Sequence, residues 1–399
     1  MKELEENKEK ETYKEIIRKY LLKNKDIYKI KEIKKINISF KRLGGGMNKN
    51  YLIKIETEEN GIKYEFFFRY FDKLINDAFD RKKEAEVIKT LGEVGYGPKL
   101  LDFDYQNERY RIDEYLADSI ELPSEQIFNE NILNDLIIIL NYYSKISDIY
   151  KYEINEEKKS IELFQTGKNL FYIKKNIYDN TINNIYYKSK EKFDKFMNQY
   201  NKSSLRNDIL NDNNMNKIKN IINNFPNLFS SFFNQKSFFV LNHHDLHQLN
   251  ILLNKKTKKI FIIDNELCCL SLIGFDIIFY LLMSLFKFFP NYEYYPDLMN
   301  YDKFYSIYQK YVEYFMKKNQ DWINQNQERL NYIQLLAKEI YFCELLCVVN
   351  LFLFIISLLE LNFNEENISG NKDIFFINAL NVIQLFELSY DKYNIVKNN

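Results

Sequence analysis

Tryptophan occurs once in this 399-residue chain, histidine three times, cysteine four times, proline five times and glycine ten times. The cysteines, Cys268, Cys269, Cys343 and Cys347, fall in two apolar segments. They have neither zinc-ribbon spacing nor the density of a secreted disulfide scaffold, so a reducing, cytoplasmic setting is expected. Excess charge of either sign is also missing, because 56 Lys and Arg balance 56 Asp and Glu. Without a net positive field nothing draws the chain to nucleic acid or anionic lipid, which leaves small-molecule chemistry as the expectation. No apolar run is long enough to span a bilayer. The longest uncharged one, Leu345 to Leu359, is interrupted by Asn350 and Ser357 and reads as a buried core helix. The opening MKELEENKEKETYKEIIRKYLL lacks the apolar stretch of a signal peptide, so export is not expected. Asn, Lys, Ile and Tyr are abundant everywhere, so local enrichment in Asn or aromatics carries no argument.

What is present is enough apolar material, 46% of residues, for one large core or two adjoining lobes. Residues 1–26 have helical spacing with a strongly charged face and read as a peripheral helix. Residues 27–116 read as a small α+β lobe of five strands and one helix. INISFKRL, YLIKIE and YEFFFRYF are strands, the first two separated by the glycine turn GGGMN. A helix follows in NDAFDRKKEAEVIKTLGEVG, with Ala78, Ala85, Val87, Ile88 and Leu91 on one face. YGPKLLDFDYQ and RYRIDEYL form an antiparallel pair. Residues 117–399 read as a large, mostly helical lobe, with 152–224, rich in Asn, Lys, Tyr and Ser, as a variable insertion.

All three histidines lie in LNHHDLHQLNILLNKKTKKIFIIDNE. Three readings compete. A solvated loop is the commonplace one. A zinc site would use the histidines, but the chain has no further histidine to complete a sphere. The third is a phosphotransferase loop, in which His-x-Asp is followed by Asn and then by an apolar strand ending in a second Asp. Phosphoryl transfer needs a carboxylate beside the attacking hydroxyl, the role Asp245 can fill. It also needs hard oxygen ligands for Mg2+, which Asn250 and Asp264 can supply. His243 would then brace the loop, while His244 and His247 line the site or face water.

The third reading predicts partners upstream. A phosphate tail needs backbone N–H groups at close approach, and LGGGMNKNYLI places glycines between two strands, although such a turn is more often only a tight hairpin. Arg69 sits inside an apolar strand, where an unpaired charge is costly, so a helix carboxylate should pair with it. Glu84 is the candidate and Glu86 its rival.

Taken together, GGGMN with YLIKI, Arg69, FDRKKE, EVGYGPKLLDF, RIDEYL, HHDLHQLNILL, IIDNE and IGFDI resemble the choline/ethanolamine kinase family, within the wider aminoglycoside phosphotransferase group. The resemblance implies a bilobal protein-kinase-like α+β fold with ATP and Mg2+ held between the lobes. It makes Asp245 the catalytic base, with Asn250 and Asp264 as the magnesium ligands. Gly44, Gly45 and Asn48 become the nucleotide loop, and Arg69, paired with Glu84, the phosphate cation. The segment Asp113, Glu114 and Tyr115 becomes the adenine hinge, and Asp276 a carboxylate supporting the catalytic loop. The implied acceptor is a small amino alcohol in phospholipid head-group synthesis, and a homodimer is compatible with it.

The departures concern the acceptor. The aromatic expected after the metal Asp is replaced by the order Asp264, Asn265, Glu266, Leu267. Downstream of GFD the chain carries Met283 and Ser284, and where the family presents tryptophans it has Glu344 and Cys347, with Trp322 elsewhere. A quaternary ammonium needs an aromatic cage, whereas a primary amine can bond to carboxylates. Glu266 and Glu344 therefore tilt the expectation from choline toward ethanolamine, unless Phe279, Tyr280, Phe286, Phe288, Phe289, Tyr292, Tyr294 and Tyr295, which read first as core, rebuild a cage. Rival readings are a sugar or aminoglycoside kinase and a nucleotide-binding scaffold without catalysis.

Overall fold

The computed structural model describes residues 2–28, 30, 36–43, 48–57, 61, 63–71, 80–151, 239–272, 274–287, 293–294 and 300–318. Gly44, Gly45, Glu344, Cys343, Cys347, Trp322, the run 345–359 and the insertion 152–224 lie outside these residues. The chain is α+β and divides into two compact units, Met1–Ile120 with Leu253–Glu266, and Glu121–Leu252 with Leu267–Asn399. Among the described residues no helix is long and apolar enough to cross a membrane.

The first unit is built on helix α1 (Lys2–Lys23) and strands β1 (Ile36–Arg42), β2 (Lys49–Thr57), β3 (Lys63–Tyr70), β4 (Leu100–Phe103) and β5 (Tyr110–Glu114). The strands form one antiparallel sheet in the order β1-β2-β3-β5-β4. Period-two patterning places Ile36, Ile38, Ile53, Ile55, Phe66, Phe68 and Ile112 in one buried cluster. That cluster also contains Tyr13, Ile16, Ile17, Tyr20 and Leu21 of α1. This corrects the expectation of a peripheral helix. The charges that dominate the first half of α1 conceal an apolar stripe at i, i+4 and i+7 in its second half, which the sheet covers.

Helix α2 (Arg81–Val94) begins where the Asp80 side chain accepts from the N–H of Lys83 (3.0 Å). It ends at Gly95 in the left-handed region (φ 75°), whose N–H is donated to Gly92 O while that of Tyr96 is donated to Leu91 O. A Cβ at Gly92 would lie 2.7 Å from Pro98 O, so glycine is what lets GPKL run against the helix. The helix turns Arg81, Glu84, Ala85, Val87, Ile88, Leu91 and Gly92 inward. Two charged residues thus share the apolar face.

Strands β8 (Ile251–Asn254) and β9 (Ile260–Ile262) are adjacent, and the Ile262 N–H is donated to Tyr96 O (2.9 Å). This bond ties Leu253–Glu266 into the first unit, so Asp264 groups with the sheet and α2. The single division expected near residue 116 did not anticipate that return, because a long-range strand contact leaves no local pattern. The preceding strand, β6, spans Ser119–Glu121.

In the second unit β7 (Phe239–Asn242) pairs antiparallel with β10 (Cys269–Leu272). Helix α3 (Glu130–Lys151) buries Leu136, Ile139, Leu140 and Tyr143, as the apolar period of NILNDLIIILNYYSKI predicts. Helix α4 (Phe275–Met283) is buried throughout, and α5 is Tyr301–Lys318. Short strands β11 (Phe286–Lys287) and β12 (Glu293–Tyr294) form a separate pair.

Candidate active site

The loop after β7 is fixed from below by Asp276, in the first turn of α4. Its two carboxylate oxygens accept the backbone N–H groups of His243 (2.6 Å) and His244 (2.9 Å), and its own N–H is donated to Asn242 Oδ1 (3.4 Å). Burial pushes the Asp276 carboxyl up to about 7, against the pull of those two N–H donors. The loop bends at His244, whose φ of 66° is left-handed, and the ring stacks on Phe275 at 4.1 Å. Burial depresses that imidazole to about 3, so it is neutral at ordinary pH and does not face water.

Asp245 follows immediately. Its N–H is donated to His243 Nδ1 (3.2 Å), and Asn250 Nδ2 donates both to Asp245 O (2.8 Å) and to Asp245 Oδ2 (3.1 Å). The Asp-x-x-x-x-Asn spacing therefore closes on itself. Asn250, in the short 3-10 turn Gln248–Asn250, has its amide nitrogen turned to Asp245, which makes the side-chain carbonyl the atom it offers a cation. His247 caps that turn by accepting the Leu249 N–H at Nδ1 (3.2 Å), and its Nε2 lies 3.6 Å from Asp245 Oδ1. Asp245 itself is partly exposed, with 37% of its side chain accessible. The histidines are thus bracing groups of the loop, consistent with the role expected for His243.

In the first unit Asp264 also has a left-handed backbone, φ 65°, two residues beyond the end of β9. Arg69 Nη1 donates to Asp264 Oδ1 (2.6 Å) and lies 3.5 Å from Glu84 Oε1 and 3.6 Å from Glu266 Oε2. Burial alone would lower the Arg69 pKa, but Asp264, Glu84 and Glu266 raise it, so it is a fixed cation. Glu84 is the buried helix carboxylate. Its rival Glu86 is exposed and accepts from the Tyr105 hydroxyl (2.8 Å).

Two further arginines were not anticipated. Arg81 Nη1 donates to Glu84 Oε2 (2.7 Å) and Glu266 Oε2 (3.0 Å). Arg111 Nη1 donates to Glu84 Oε1, and its Nε to Asp113 Oδ2 (2.7 Å). Burial would raise the Glu84 carboxyl, yet Arg111, Arg81 and Arg69 together hold it below its ordinary value. The available signals were Arg81 three residues before Glu84 on one helix face, and Arg111 two before Asp113 on one strand face. FDRKKE was instead compatible with a solvated charge run.

Asn48 is buried at the stem of the glycine turn, with Nδ2 donating to Glu266 Oε2 (3.0 Å). Glu266, expected to bind the acceptor's amine, is thereby engaged inside the first unit by Asn48 and Arg81. Burial and the adjacent Asp264 charge push its carboxyl up to about 7, against Arg69 and Arg81. In the segment expected to be the hinge, Asp113 is turned to Arg111 and pairs with Phe67 and Leu100 along the sheet, and the Glu114 N–H is donated to Lys99 O (2.9 Å). Tyr115 lies just beyond β5. Phe279 and Tyr280 are core residues, with the Tyr280 hydroxyl donating to Ile127 O (2.8 Å), and Met283 is buried as well. These two aromatics are therefore core, while Phe288, Phe289, Tyr292 and Tyr295 lie outside the described residues.

Among the described residues the close group of ligating side chains is Glu84, Asp264 and Glu266, which includes no histidine. Asp264 offers a carboxylate that is 31% accessible, and Asn250 a carbonyl. The carboxylates of that group are hard oxygen donors of the kind Mg2+ takes, and the group brings in none of the histidines on which the zinc reading relied.

Known proteins resemble this chain in family and in fold. The family model for choline/ethanolamine kinase matches residues 40–372. Among solved structures, an ethanolamine kinase of Plasmodium vivax is 18% identical with a TM-score of 0.54, covering 94% of this chain and 90% of that one. A choline/ethanolamine kinase family protein of Mesorhizobium loti is 11% identical with a TM-score of 0.48, covering 90% and 92%. A choline kinase of Streptococcus pneumoniae is 16% identical with a TM-score of 0.41, covering 91% and 99%. No curated protein sequence matches. The first of these structures shares the kinase-like fold. With the family model spanning most of its length, the chain belongs to the choline/ethanolamine kinase family of phosphotransferases.

Proposed function

We propose that the chain transfers the γ-phosphoryl group of ATP to the hydroxyl of a small amino alcohol, ethanolamine in preference to choline, in a Mg2+-dependent reaction of phospholipid head-group synthesis. The observation that carries this reading is the clamp of Asp245 by Asn250, on a loop whose N–H groups are held by Asp276. It leaves one partly exposed carboxylate in a fixed orientation. The hydroxyl oxygen attacks the γ-phosphorus and the bond to the β–γ bridging oxygen breaks. The hydroxyl proton passes to Asp245, and ADP departs. Asn250 and Asp264 would hold Mg2+, which neutralises phosphate charge when bound. Gly44, Gly45 and Asn48 line the phosphates, Arg69 supplies a fixed positive charge there, and Asp113 to Tyr115 form the hinge toward adenine. Positioning and electrostatics supply the catalysis, and no covalent enzyme intermediate is needed.

The lean toward ethanolamine rests on the scarcity of tryptophan and on Glu344, since Glu266 is engaged elsewhere. The test is an ATP-dependent phosphorylation assay with ethanolamine, its N-methyl and N,N-dimethyl derivatives, and choline. Ethanolamine should be the best acceptor. A rate rising with methylation would overturn the preference, and ATP binding without phosphorylation of any amine would overturn the reaction. Asp245→Asn should abolish turnover while leaving ATP affinity within about twofold, and near-wild-type activity would remove Asp245 as the base.

A further inference from the structure

Three side chains from distant parts of the sequence close a ring of hydrogen bonds inside the first unit. Arg81 Nη1 donates to Glu266 Oε2 (3.0 Å), Arg81 Nη2 to Asn48 Oδ1 (3.3 Å), and Asn48 Nδ2 to the same Glu266 oxygen (3.0 Å). Arg81 is wholly buried, with its guanidinium 4.3 Å from the centre of the Phe71 ring, and it also holds Glu84 Oε2 at 2.7 Å. We propose that Arg81 is a positioning residue for the phosphate end of the nucleotide, acting through this ring.

Each member of the ring ends at a different part of the machinery. Asn48 is the last residue of the GGGMN segment. Glu266 is two residues beyond Asp264. Glu84 carries the second acceptor for Arg69. One planar fork therefore sets the stem of the phosphate loop, the carriage of the metal-binding Asp and the counter-ion of the phosphate cation. Lysine cannot reproduce this: an ammonium can reach one carboxylate but cannot present two N–H groups in a plane to Glu266 and Asn48 at once. If the cluster were only a structural device, apolar replacement of its charges would be tolerated, as buried ion pairs often are. The inference rests on the reading of the first unit as the ATP-binding part, and deepens it by assigning the residue that organises it.

The test uses the full-length protein and compares wild type, Arg81→Lys, Asn48→Leu and the double variant Arg81→Met/Glu266→Gln. ATP affinity is measured calorimetrically in EDTA, Tm by thermal unfolding, and KM for ATP and for ethanolamine by kinetics. Arg81→Lys and Asn48→Leu should each weaken ATP binding and raise KM for ATP by about tenfold or more, leaving KM for ethanolamine within about twofold. The double variant, which strands no charge, should recover Tm relative to Arg81→Lys without recovering ATP affinity. ATP affinity within about twofold of wild type in Arg81→Lys and Asn48→Leu would overturn the proposal, as would both KM values rising in parallel with the loss of Tm. If wild type binds ATP but phosphorylates no amino alcohol, the functional reading fails while the calorimetric arm still decides the role of Arg81.

Discussion

Replacing Glu84 by glutamine removes one negative charge from the centre of the buried cluster and nothing else of similar size. Glu84 is 2% exposed and receives Arg81 at Oε2 (2.7 Å), Arg111 at Oε1, and Arg69 at 3.5 Å. Stranding a buried charge costs about 3–5 kcal/mol, but no arginine is stranded here. Arg69 keeps Asp264 (2.6 Å), Arg81 keeps Glu266 (3.0 Å) and Arg111 keeps Asp113 (2.7 Å). What is lost is one charge-assisted bond, about 1.5–3 kcal/mol, together with an amide N–H now facing a guanidinium. A destabilisation of about 2–3 kcal/mol follows, seen in a chain of this length as a fall in Tm of roughly 2–4 °C near pH 7. The pH dependence gives a second check. The folded-state pKa of Glu84 lies below the ordinary 4.5, so its contribution is fully present above 4.5 and is lost as pH falls through the lower folded value. The Tm gap between wild type and variant should therefore shrink as the pH falls below 4.5. A variant with unchanged Tm at pH 7, or a gap that persists undiminished in acid, would refute the account of Glu84 as an ionised hub.

Asp276→Asn keeps one acceptor oxygen for two N–H groups and sets an NH2 against the other, so we expect a loss of about 1–3 kcal/mol in stability. The same variant should lower kcat with little change in ATP affinity, and steady-state kinetics with unaltered kcat would show that Asp276 does not hold the loop for catalysis. Tyr13→Ala empties a site walled by the rings of Phe40, Tyr51, Phe68 and Tyr70, the nearest centroid at 4.9 Å. Chemical denaturation should register a cost of about 3–5 kcal/mol, whereas a cost below about 1 kcal/mol would return α1 to the periphery.

Much of this molecule was legible because its signals are local. Alternating apolar residues in INISFKR and KYEFFFRY dictate strands, and the i, i+4, i+7 spacing of Glu84, Ile88 and Leu91 dictates the inward face of α2. Asp245 and Asn250 are five residues apart, close enough that a single tight turn joins them, and so their partnership could be read from spacing. Choosing Glu84 over Glu86 needed the rotation of α2 against the sheet, which places two residues of the same type on opposite faces.

Sequence by itself determined the strands and the helices that frame them, since each depends on neighbours within a few positions. Tertiary structure alone decided that α1 belongs to the core, that Glu266 joins Arg81 and Asn48, and that Arg81 and Arg111 share Glu84 with Arg69. Those outcomes join residues up to 218 positions apart. Buried charges settle on whichever opposite charges the packed chain brings within reach, and that choice leaves no periodicity along the sequence.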